Sequence, residues 1–186
     1  MKYSIDVICN DFRKKSKMKY IFFWGHQPSA DGSVTKSCLS QWYDCKFIVD
    51  GVEYHTAEQY MMSQKALLFG DTKINQEIMQ ANHPKQFKDM GRRISGFNEK
   101  VWNENKSDIV IKGNYAKFSQ NPELKGFLIG TYNRILVEAS PYDKIWGIGM
   151  SAVDKNINNP LEWNGENLLG FCLMEVRDML LEGKDD

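Results

Sequence analysis

At 186 residues the chain has room for one domain with a real core. Apolar residues make up 42% and charged residues 26%, a balance that excludes an intrinsically disordered chain. Lys plus Arg and Asp plus Glu number 24 each, so no basic field covers the whole domain to hold nucleic acid non-specifically.

The four cysteines (Cys9, Cys38, Cys45, Cys172) show no CxxC spacing, and His26, His55 and His83 lack the helical spacing that chelates a metal. No metal and no cofactor are expected. Met1 to Asn10 lacks the features of a signal peptide, and no stretch approaches the ~18 apolar residues of a membrane span. The expectation is a soluble cytoplasmic protein with reduced thiols and no membrane partner.

In chain order, residues 1–19 read as an N-terminal extension with a solvated basic run at Arg13, Lys14, Lys15, Lys17 and Lys19. The domain proper, 20–186, opens with a short buried strand over Tyr20 to Trp24. Residues 25–36 are a polar loop. Asp50-Gly51 between Phe47-Ile48-Val49 and Val52-Glu53-Tyr54 marks a hairpin. Thr56-Ala57-Glu58-Gln59 has capping-box spacing and starts a helix that runs to about Phe69. Asp71 caps a second helix, Pro84 begins a third that stops at Gly91, and Asn98 caps a longer one toward Phe118. A short helix follows Asn121-Pro122, Ile135 to Ala139 is β-like, and Asn167 to Glu182 is a final amphipathic helix. Strands are few, short and hairpin-linked. The fold class is therefore α+β, a mainly helical single domain with a small antiparallel sheet.

Two places carry candidate chemistry. Glu58 and Lys65 are seven residues apart, two turns of helix, so both lie on nearly the same face. A carboxylate near an ammonium in a partly apolar setting is an acid/base or nucleophile pair. The same spacing also marks ordinary exposed helix faces. The second place is Asp143-Lys144-Ile145-Trp146-Gly147-Ile148-Gly149, where an acid, a Trp and Gly-x-Gly suit either a loop that lets backbone approach a ligand or a plain turn around an anchoring Trp.

Thr56-Ala57-Glu58-Gln59-Tyr60-Met61-Met62-Ser63-Gln64-Lys65-Ala66 resembles the central Glu-x-Tyr-x-x-x-x-Lys motif of the NADAR family of YbiA-like N-glycosidases. More of that pattern follows in order: Met90-Gly91-Arg92, Trp102, Ala116-Lys117-Phe118, Leu136-Val137-Glu138, Asp143-x-x-Trp146-Gly147-x-Gly149, and Asn167-x-Leu169-Gly170 through Arg177. The match runs from Tyr20 to Leu181. Leu39-Ser40-Gln41-Trp42 departs from the family's Leu-Ser-Asn form, which bears on substrate identity.

The resemblance implies a YbiA-like fold and a hydrolase that cleaves a ribose C1–N bond in a small nucleotide-like substrate. It implies either riboflavin biosynthesis intermediates (ribosylaminopyrimidine phosphates) or, alternatively, ADP-ribose on guanine in DNA. A non-catalytic binder of ADP-ribose-like ligands is the remaining reading. Carried onto this sequence, Glu58, Lys65 and Asp143 are the catalytic residues. Trp24, Trp102 and Trp146 are candidates to stack on the base and Arg92 to hold phosphate, with Gly147, Gly149 and Asn167 also assigned to substrate binding.

Overall fold

The computed structural model describes residues 1–183. The elements run α1 (Ile5–Arg13), β1 (Tyr20–Phe23), β2 (Phe47–Val49), β3 (Val52–Tyr54), α2 (Ala57–Leu68) and α3 (Thr72–Gln80). They continue with α4 (Pro84–Gly91), α5 (Glu99–Gln120), α6 (Pro122–Ile129), β4 (Ile135–Glu138) and α7 (Leu168–Glu182). Helices dominate and the sheets have two strands each, so the fold is α+β and mainly helical. The chain forms two compact units, one of Gln41–Pro122 and one of Met1–Ser40 with the chain from Glu123 onward.

In the Gln41–Pro122 unit, Asp50 and Gly51 both take positive φ, 51° and 80°, as a two-residue hairpin turn requires. β2 and β3 pair antiparallel through it, with Phe47 opposite Tyr54. Thr56 caps α2 by accepting from the Gln59 N–H at 3.1 Å. The Gln59 side chain reaches back to the His55 N–H at 2.9 Å, one residue beyond the usual capping box. α2 is buried almost all round, with α3, α4 and α5 packed against it. The core gathers Phe47, Val49, Tyr54, Tyr60 and Ala116, and the Tyr54 and Tyr60 rings meet edge-on at 5.1 Å.

In the other unit, β1 and β4 pair in parallel, Tyr20 opposite Ile135 through Phe23 opposite Glu138. The hairpin-linked expectation thus describes β2 and β3, while β1 finds its partner over a long connection. Buried α7 packs on β4. The Arg177 side chain, almost wholly buried, donates from Nη1 to Thr131 Oγ1 at 2.9 Å and to the Arg134 carbonyl at 2.8 Å, fixing the turn that leads into β4. Residues 5–13, inside the stretch read as an extension, form α1. Lys2 and Tyr3 beside it hold Asp178 of α7 at 2.6 and 2.8 Å.

Candidate active site

The candidate residues fall into two clusters, one in each unit. Glu58, Lys65, Arg92 and Trp102 belong to the first. Glu58 lies in the opening turn of α2, only 5% exposed, and its backbone N–H donates to the Gln41 carbonyl at 2.9 Å. A carboxylate at this position faces the positive end of the helix dipole. Two turns on, Lys65 is half-buried and donates from Nζ to the Gly91 carbonyl at 2.9 Å. The same nitrogen stands 4.5 Å from the centre of the Phe97 ring and 5.3 Å from that of Trp102. Burial lowers the Lys65 pKa below its usual value of 10.5, and the negative charge of Glu58 opposes that shift. Gly91 favours the arrangement: a Cβ there would have to push the Met62 side chain aside, so the glycine lets α4 bring its last carbonyl close to α2 with Met62 in place.

Trp102 therefore faces the Lys65 ammonium, a contact its spacing in sequence did not announce. Arg92 is exposed and pairs with Asp89 at 3.4 Å. Phe97 was not singled out from sequence. Its signal was available, because it precedes the Asn98 cap while Trp102 is the fourth residue of α5, the two positions of a hydrophobic staple.

The second cluster is the loop from Asp143 to Gly149. Asp143 Oδ1 accepts from the N–H groups of Ile145 at 3.0 Å and Trp146 at 2.8 Å, so the carboxylate organises its own loop. The loop carbonyls of Ile145, Trp146 and Gly147 accept from Leu168, Leu169 and Asn167, satisfying the first N–H groups of α7 in place of a side-chain cap. A Cβ on Gly147 would stand 2.9 Å from the Glu138 carbonyl and 3.0 Å from that of Asp143. Close backbone packing demands this glycine before any ligand does.

Asn167 is fully buried, and β4 engages both ends of its amide. Oδ1 accepts from the Glu138 N–H and Nδ2 donates to the Leu136 carbonyl, each at 2.9 Å. Those bonds make it a tie between α7 and the strand. Trp24 by contrast is 58% exposed, with its ring 6.2 Å from that of Tyr142, an 85%-exposed neighbour of Asp143 that sequence reading left unassigned. Among the described residues, no group of three or more His, Cys, Asp or Glu could hold a metal ion. No helix among them is long and apolar enough to cross a membrane.

The profile of the NADAR domain family matches residues 22–181, which spans both clusters. The chain belongs to the NADAR family. It is 45% identical over 166 residues to the N-glycosidase R617 of Acanthamoeba polyphaga mimivirus, covering 86% of this chain and 95% of that one. To the N-glycosidase YbiA of Escherichia coli it is 35% identical over 132 residues, 71% of this chain and 74% of YbiA. The NMR structure of E. coli YbiA matches with a TM-score of 0.72 at 29% identity, over 91% of this chain and 89% of that one. The riboflavin biosynthesis protein PYRR of Zea mays is 34% identical over 139 residues, 71% of this chain but 20% of that longer protein. With N-glycosidases as its NADAR relatives, this chain is a hydrolase acting on N-glycosyl bonds.

Proposed function

We propose that this NADAR protein hydrolyses the ribose C1–N bond of a ribosylaminopyrimidine phosphate, with Glu58 and Lys65 as the reacting groups. The observation that carries the reading is the Lys65 amine, half-buried, with its pKa lowered by burial and with the Glu58 charge acting on it from the same helix. The name of the maize relative supports a riboflavin-type substrate.

A ribose attached to an exocyclic amine can open its ring: the ring oxygen leaves C1 as a hydroxyl, and C1 becomes an imine to the base nitrogen. The neutral Lys65 amine adds to C1 and gives up its two protons in turn to the base nitrogen, so that the C1–N bond to the base breaks, the base leaves as the free aminopyrimidine and C1 is left as an imine to Lys65. Water then adds to the Lys65 imine, releasing the free sugar phosphate and regenerating the amine. Glu58 carries protons between these groups and stabilises positive charge developing at C1. Four cysteines outside any disulfide fit action in a reducing, cytoplasmic compartment.

The test is incubation of the purified protein with a ribosylaminopyrimidine phosphate and, separately, with DNA carrying ADP-ribosylated guanine, followed by mass spectrometry. Release of ribose phosphate and free aminopyrimidine supports the proposal. Turnover of the DNA substrate alone overturns it in favour of ADP-ribosyl hydrolysis.

A further inference from the structure

Lys65 does not sit in a generic apolar wall. Its ammonium meets three groups: the Gly91 carbonyl closing α4, the Phe97 ring just before α5, and the Trp102 ring in the first turns of α5. Phe97 follows Gly96, which has φ +69°, and its ring lies edge-on to Phe69 at 5.3 Å. That contact holds it on the far end of the helix that carries Lys65. The two aromatic residues stand just before the Asn98 cap and at the fourth position of α5, so the start of α5 presents two π faces to one cation.

We propose that Phe97 and Trp102 form an aromatic clamp that positions the Lys65 amine against the Gly91 carbonyl, which makes Phe97 a positioning residue for the reaction. The inference rests on the reading of Lys65 as the reacting amine. A cation is drawn to a ring face by the ring quadrupole, while burial without compensation favours the neutral amine. The clamp therefore opposes burial and holds the long side chain in place before substrate arrives.

Among the charged groups near Lys65, Glu58 is the one that acts against burial on the amine. On α2, Glu58 favours the ammonium. On α4, Asp89 pairs with Arg92 at 3.4 Å, and Glu77 of α3 pairs with Arg93 at 3.2 Å, both at the surface. α5 contributes the Trp102 ring.

The experiment reads the amine directly. Lysines of the whole protein are converted to 13C-dimethyl-lysine, which keeps the charge and one N–H for the Gly91 carbonyl, and the methyl resonances are titrated by NMR. The Lys65 resonance is the one lost in Lys65→Arg. Phe97→Leu keeps apolar cover and removes the π face, and Phe97 is 46% exposed, so the substitution is tolerated. The clamp predicts that Phe97→Leu lowers the Lys65 pKa by about half a unit and that Phe97→Tyr restores it. A Lys65 titration unmoved in Phe97→Leu, or moved equally in Phe97→Tyr, overturns the clamp. Because no turnover is read, this outcome is independent of whether Lys65 forms an imine, which borohydride trapping decides.

Discussion

Replacing Asn167 by Ala separates two roles that the sequence left merged. If the residue serves substrate, its loss should damage kcat/KM and leave stability alone. The structure makes the opposite demand. Asn167→Ala removes two hydrogen bonds of 2.9 Å and strips the Leu136 carbonyl and the Glu138 N–H of their amide partner. A buried polar group left without a partner costs about 1–3 kcal/mol. Leu136 is fully buried and Glu138 partly so, which gives about 2–5 kcal/mol for the pair. Asn167 also holds φ 54°, a left-handed conformation that Ala tolerates less well, adding about 1 kcal/mol. At roughly 2–4 °C per kcal/mol for a chain of this size, the melting temperature should fall by about ten degrees. Urea denaturation followed by circular dichroism measures the loss. A variant that loses activity yet unfolds within about 1 kcal/mol of the wild type would refute the reasoning and return Asn167 to the substrate.

Glu58→Gln should lower turnover by about 10²–10⁴-fold while leaving the α2 start intact, because the backbone bond to Gln41 does not involve the side chain. Wild-type rates in that variant would remove Glu58 from the mechanism. Lys65 has a folded-state pKa below 10.5, so between the two values the unfolded chain binds the extra proton, and this residue's contribution to stability rises with pH across a window ending near 10.5. The stability difference between wild type and Lys65→Met, measured from about pH 8 upward, should therefore shift in favour of the wild type, and a flat difference contradicts the burial of the amine. Gly147→Ala should destabilise the Asp143 loop by about 1–3 kcal/mol, checked by the same denaturation, since the added methyl meets two carbonyls at 2.9 and 3.0 Å.

Helix starts were the most legible part of the fold. Thr56, Asp71, His83 before Pro84, and Asn98 each cap a helix with a side-chain acceptor, so a local chemical signal sufficed. The Asp50-Gly51 hairpin was legible for the same reason. The parallel pairing of β1 with β4 was not, because no local residue marks a partner so distant in sequence. The basic flank of α1 marks residues 1–19 as a solvated segment, and the bonds by which Lys2 and Tyr3 secure the chain beside α1 to Asp178 depend on tertiary contact. In the candidate site, the shared helix of Glu58 and Lys65 is legible from the Thr56 capping signal together with their seven-residue spacing. What surrounds Lys65 is not, since Gly91, Phe97 and Trp102 converge on it only through the packing of α4 and α5 against α2. Asn167, a polar residue opening a helix, reads in sequence as a cap or a ligand, and its bonds to β4 depend on tertiary contact.

Borohydride trapping during turnover of a ribosylaminopyrimidine phosphate, followed by peptide mass spectrometry, shows whether Lys65 attacks the sugar. A reduced imine fixes the sugar to the attacking nitrogen, whichever residue supplies it. A sugar phosphate adduct is expected on the peptide containing Lys65 and is expected to be absent in Lys65→Arg, a variant that keeps the charge and cannot form the imine. No adduct in the wild type, together with most activity retained in Lys65→Arg, would reduce Lys65 to a fixed charge and contradict the mechanism.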